Sequence, residues 1–158
     1  MHNSGQEGFL MKKSFLVVVL HLSFFACPLI AAEDFVLKTS TKSVEDVTSA
    51  LKKAITNAGA QVFAEIDHAA SAKAAGIELQ PTILIIFGNP KIGTQIIQQD
   101  RRVGLQLPLH VLVWNDNGST KISYENPTVI SNRYNIKSDD ENLQKLVIAV
   151  AKLTDASL

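Results

Sequence analysis

Cysteine is nearly missing from this sequence. Cys27 is the only one in 158 residues, which excludes an intrachain disulfide and a thiolate zinc cluster. Proline and glycine are sparse, at five and eight residues; no segment is low in complexity, and no repeat recurs at solenoid periods. Neither sign of charge dominates, since fifteen basic residues balance fifteen acidic ones. That balance argues against nucleic acid as a partner, because phosphate neutralisation calls for a strongly basic face.

Long apolar runs are also lacking, with one exception near the start. Met11-Lys12-Lys13, the run Phe15 to Phe25 and the small-residue stretch ending at Ala31-Ala32 follow the basic, apolar, cleavable order of a secretory signal. The reading places the true start at Met11 and sets residues 1–10 aside as a misassigned start or an added segment. A membrane span needs roughly 20 continuous apolar residues; His21 and Ser23 interrupt this run, and Pro28 closes it before Glu33-Asp34. Cleavage after Ala32 or Ala31 is therefore expected rather than a stable membrane anchor, making 11–32 the signal peptide and the product periplasmic or secreted. The rival reading makes Cys27 the lipidated first residue of a lipoprotein, although Phe24-Phe25-Ala26 matches such sites poorly. Residues 33–158 remain as a single domain, long enough to bury about two thirds of its unfolded surface.

Within that domain Phe35 and Leu37 share one side of an extended segment. Ser43, with Asp46 three residues on, caps a helix whose apolar positions Val44, Val47, Leu51, Ile55 and Ala58 advance by three and four until Gly59 stops it. Gln61 to Ile66 alternates as a half-buried strand, with Val62, Ala64 and Ile66 on one side. Asp67-His68 begins an alanine-rich turn of helix that ends at Gly76. The branched run Thr82 to Phe87 predicts the most buried strand. Asn89 then caps a helix with Pro90 at its first position and Ile92, Ile96 and Ile97 as its stripe.

Leu109 to Trp114 and Thr120 to Tyr124 predict a hairpin about Asn115-Asp116-Asn117-Gly118, whose last two residues favour positive φ. Ser138 and Glu141 suggest a capping box for a last helix striped by Leu143, Leu146, Val147, Val150 and Leu153. The order is β-α-β4-α with an inserted helix. It implies the α+β class: a two-layer sandwich with a curved, mostly antiparallel sheet of about five strands and a long C-terminal helix packed on it.

Three phrases give this chain a family likeness: Phe87-Gly88-Asn89-Pro90-Lys91-Ile92-Gly93-Thr94; Gly104-Leu105-Gln106-Leu107-Pro108-Leu109 running into Val111-Leu112-Val113-Trp114; and Tyr124-Glu125-Asn126-Pro127. Together they resemble the domain of unknown function 302 family from about Val36 to Tyr134. The resemblance implies a compact α/β sandwich, a homodimer and no established activity. Arg101 stands where the family commonly has proline and Gln106 where it has an acid, so no catalytic role is carried over.

Candidate chemistry centres on the strand, Gly88, Asn89, Pro90, helix sequence, where backbone amides can face an anion and Lys91 and Thr94 add a charge and a hydroxyl. The phosphate-cradling glycine series is absent, which leaves plain helix capping as the competing explanation. His68 and His110 are the domain's two histidines, and with carboxylates such as Glu65, Asp67 or Asp116 they fall short of an ordinary zinc ligand set, so neither metal nor cofactor is expected. Arg101, Arg102 and Arg133 are able to clamp an anion, but solvated loop charges are commoner. Trp114 reads as a core or rim aromatic.

A non-catalytic domain that binds a small molecule or anion therefore ranks first, with Asn89, Lys91, Thr94, Arg102 and His110 as its candidate residues. A small hydrolase-like enzyme using His68 or His110 as base is the alternative, and a structural dimerisation module is a third.

Overall fold

The computed structural model describes residues 34–158, which form one compact unit. The expected leader, the start at Met11 and Cys27 lie outside the described residues. Five strands and five helices follow one another as β1 (Phe35–Ser40), α1 (Val44–Asn57), β2 (Gln61–Asp67), α2 (His68–Ala74), β3 (Thr82–Gly88), α3 (Pro90–Gln99), β4 (Leu109–Asp116), β5 (Ser119–Glu125), α4 (Val129–Arg133) and α5 (Glu141–Asp155). A 3₁₀ turn, Arg101–Leu105, joins α3 to β4.

Every strand pairing is antiparallel, in the order β1-β5-β4-β3-β2. The strands from β2 to β5 pair in sequence order, whereas β1 crosses to the far edge beside β5. Helix α1 makes that crossing: its 14 residues span about 21 Å, close to the roughly 19 Å across five strands. The Ser43 hydroxyl caps it by accepting from the Asp46 amide, and Gly59 turns the chain at φ 71°. The hairpin between β4 and β5 turns at Asn117 and Gly118, both at positive φ, as the sequence predicts.

Helices α1, α3 and α5 cover one face of the sheet. Val47, Leu51, Ile55, Ile85, Ile96, Val111, Val113, Ile122 and Leu143 are sealed between the two layers. The α+β, two-layer architecture is thus the expected one, and Leu146 and Val150 of α5 are buried in it.

Three local expectations differ: the cap of α5, the alternation of β2, and β3 as the most buried strand, since only Ile85 and Phe87 are buried in β3 whereas β4 and β5 each bury three residues. The cap of α5 is Asp140, not Ser138: its Oδ1 accepts from the amides of Asn142 and Leu143, and a carboxylate there also meets the positive end of the helix dipole. Strand β2 does not alternate cleanly, because its register shifts between Val62 and Ala64. Val62 pairs with Phe87 and so shares its side of the sheet, Ala64 and Ile66 go to the opposite side, and Phe63 stands out at the irregularity.

In β1 the apolar pair points away from the helices. Phe35 and Leu37 are 61% and 60% exposed, while Val36, Lys38 and Ser40 face inward. The outer face of the sheet consequently carries Phe35, Leu37, Leu84, Ile86, Leu112 and Trp114, and α2 stands at its β2 end.

Candidate functional site

Strand β3 ends and β4 begins side by side, with Phe87 opposite Leu109. The chain between them leaves through Gly88-Asn89-Pro90 and returns through Leu107-Pro108. A half-open cleft of about 160 Å³ lies between these two segments, lined by Phe63, Gly88, Asn89, Pro90, Gly93, Thr94, Ile97, Leu107, Pro108, Leu109 and Leu146. All but Phe63, Ile97 and Leu146 come from the first two phrases that carry the family likeness. Phe63 belongs to it as well: it sits at the irregularity in β2, half exposed, with its ring near the point where a Cβ on Gly88 would sit.

The walls are apolar, and polar groups enter only at the rim, from Asn89 and Thr94. Asn89 is already engaged. Its Oδ1 accepts from the Lys91 amide at 3.0 Å and its carbonyl accepts from the amides of Ile92 and Gly93, while Nδ2 donates to the Gly59 carbonyl at 3.4 Å. Pro90 has no amide hydrogen, so the leading amides of α3 are satisfied from within and do not face the cleft unpaired.

The structure does not gather the five candidate ligand residues. Asn89 and Thr94 line the cleft, whereas Lys91 is exposed on α3 and is not among its lining residues. Arg102 grips Asp100 through Nε and Nη2, the latter at 2.6 Å, with its guanidinium 6.0 Å from the centre of the Tyr134 ring.

The Arg102 side chain, then its amide, holds the Asp100 carboxyl at a pKa of about 2, down from 3.8. A depressed carboxylate stabilises the fold above its unfolded pKa, and that contribution disappears as pH falls from 3.8 through about 2. Asp140 is also lowered, chiefly by the Gln99 side chain and then by the Leu143 amide. Asp100→Asn should therefore flatten the acid limb of stability in this window, which urea unfolding midpoints at successive pH values will reveal.

His110 lies on the outer face, paired with Ile86 and exposed. It borders two shallow concavities of about 30 and 260 Å³ beside Glu125, and Gln106 lines the smaller one. The Glu125 carboxylate is held by Arg133 at 2.6 Å, and among the described residues no hydrogen bond links it to His110. His68 opens α2, next to Asp67, whose Oδ1 caps that helix by accepting from the Ala70 amide. Since Asp67 pairs with Ile83 and His110 with Ile86, the histidines sit near opposite ends of the sheet. That puts them roughly 14 Å or more apart, too far for a shared zinc ion with bonds of about 2 Å. Among the described residues no group of three or more His, Cys, Asp or Glu is placed to hold a metal.

A wider trough of about 1050 Å³ runs between α2 and the β4–β5 turn, with Trp114 on its wall. Residues 75–81, which form much of its border, are exposed throughout, so a small ligand there stays largely in water. Periodicity in the sequence did not mark the cleft, because Phe63, Ile97, Leu107 and Leu146 read as ordinary apolar positions.

An open five-stranded antiparallel sheet with its three longest helices on one face and a cleft where β3 passes to β4 defines a class of small α+β domain. The chain belongs to the family described as Domain of unknown function DUF302, whose sequence profile matches residues 36–153. A crystal structure of an uncharacterized conserved protein DUF302 from Bacillus stearothermophilus has the same fold, with a TM-score of 0.74 at 19% identity over 80% of this chain and 100% of that one. Proteins named fluoride-specific ion channel FluC 1 from Brucella suis and Brucella abortus are 35% identical over 117 residues, or 73% of this chain. The matched stretch is 46% and 43% of those proteins, so the chain spans less than half their length.

Proposed function

We propose that this is an exported, non-catalytic binding domain that takes a compact small molecule in the cleft between the β3–α3 turn and Leu107-Pro108. The observation that carries this reading is the convergence of two separate sequence phrases, together with Phe63, on one apolar hollow. A cavity of about 150 Å³ lined by apolar side chains is enough to hold a benzene-sized molecule. The leader pattern supports export. The likeness to part of longer proteins fits an accessory role, but the fluoride of their name has no counterpart in a hollow walled by apolar groups.

Native mass spectrometry of the protein recovered from the exported fraction of expressing cells tests the reading. A small organic adduct is expected on the wild type and its loss on Phe63→Ala. Bare polypeptide alone in the wild type counts against it.

The part of the outer sheet face beyond α2 favours a second role. Four strands clear of α2 give it a footprint of about 19 by 20 Å, about half of the roughly 800 Å² that each partner contributes to a standard interface. Its charges are mixed, with Lys121 bonded to Thr39 and Glu125 to Arg133. A mixed, apolar face suits an isologous contact with a second copy. Sedimentation at micromolar concentration should show a dimer that Leu37→Lys converts to monomer; a wild type that is monomeric throughout removes this role.

A further inference from the structure

We infer that the cleft selects a neutral, single-ring-sized ligand over an anion of the same shape, and that Gly93 is the residue that sets its size. This rests on the binding role proposed above and adds the ligand's chemistry.

The first argument is electrostatic. No lining residue carries a charge, the leading amides of α3 are held by Asn89, and the polar rim offers only the Asn89 amide and the Thr94 hydroxyl. A carboxylate entering between Phe63, Pro108, Ile97 and Leu146 loses its hydration without gaining a charged or unpaired donor in return. A neutral ring with one hydroxyl loses little, and the rim can still receive that hydroxyl.

The second argument concerns a glycine that the fold does not require. Gly93 lies inside α3, where glycine is less favourable than alanine because it leaves the unfolded backbone freer. Its φ is not in the left-handed region, and a Cβ there would meet only Leu107 Cδ1, at an ordinary 3.6 Å. Neither backbone conformation nor crowding explains the missing side chain. What a side chain at this position does is project into the cleft, whose wall Gly93 forms beside Gly88 and Thr94. The glycine keeps the hollow open at some expense of helix stability.

The test is titration of the full chain with benzyl alcohol and with benzoate, followed by amide chemical shifts of Gly88, Gly93 and Thr94. Benzyl alcohol is expected to saturate with a Kd of about 0.1–1 mM, the range open to a ligand of so few atoms, and benzoate to bind at least about tenfold more weakly. Gly93→Ala should raise Tm by about 3 °C and weaken benzyl alcohol about fivefold, while Gly93→Leu should abolish its shifts. Lys91→Ala, outside the cleft, should leave both affinities unchanged.

Binding of benzoate as tight as that of benzyl alcohol, or a Gly93→Ala protein that is more stable yet binds as the wild type does, overturns the ligand assignment alone. Failure of both compounds to shift the three amides of the wild type defeats the binding role itself. Shifts that do not saturate up to the solubility limit overturn the ligand assignment.

Discussion

Phe87→Ala should cost about 3–5 kcal/mol, a large part of the 5–15 kcal/mol that holds a domain of this size together. Phe87 is 2% exposed and lies between Val62 and Leu109 on the helix-covered side of the sheet, so its ring joins β2, β3 and β4 to the helical layer. Truncation removes a fully buried aromatic and leaves a hole that the surrounding strands cannot close, because their ladder hydrogen bonds fix their spacing. The urea midpoint is expected to fall by a third or more with little change in slope. Phe87→Leu, which restores most of the volume, should recover all but about 1–1.5 kcal/mol. A loss below that for alanine would mean that the ring does not sit in the core.

Most of this core is legible in the sequence. The stripes of α1 and α5 are buried for the most part, with Val44, Val47, Leu51 and Ile55 on one helix and Leu143, Leu146, Val150 and Leu153 on the other, whereas Ala58 is exposed at the end of α1 and Val147 is only half-buried. Helices reveal their inner face because a single stripe is apolar and the remainder is charged. Strands β1 and β2 were harder to read for two different reasons. In β1 the alternation places Phe35 and Leu37 on one side, as the structure has them, but the structure turns the other side, with Val36, Lys38 and Ser40, toward the helices. A period of two names the two sides without saying which is covered. In β2 the register shift at Phe63 breaks the alternation, and nothing in the composition of Gln61 to Ile66 announces it.

The candidate site was legible only in part. Capping by Asn89 was foreseen as the plainer explanation of the Gly88-Asn89-Pro90 sequence, and its side chain does accept from the Lys91 amide. The grouping of Asn89 and Thr94 with Lys91, Arg102 and His110 followed from chemistry alone, which cannot say that Arg102 is held by Asp100 or that His110 faces away across the sheet. Clefts are made by residues far apart in the chain. Phe63, Gly93, Pro108 and Leu146 meet only once the crossing of α1 and the path of α3 have been fixed.

Lys38 shows how an inward polar residue can matter as much as an apolar one. Its ammonium donates to the Ala151 carbonyl at 3.0 Å, the Thr154 hydroxyl at 2.7 Å and Asp155 Oδ1 at 2.6 Å, and it lies 5.6 Å from the centre of the Tyr124 ring. It thereby ties the edge strand β1 to the last turn of α5, where a cation also meets the negative end of the helix dipole. Lys38→Met keeps the aliphatic stem but loses all three bonds, and should cost about 2 kcal/mol. The bonds do not contribute equally. Asp155 is 63% exposed against 15% for the lysine, so water and salt screen that pair, and Asp155→Asn should cost at most about 0.5 kcal/mol. The greater part belongs to the sheltered carbonyl and hydroxyl, and it should persist in high salt because screening acts weakly on a partly buried charge. Denaturation of both variants at low and high salt separates the contributions; equal losses for the two, vanishing together in salt, would place the stabilisation in the exposed pair instead.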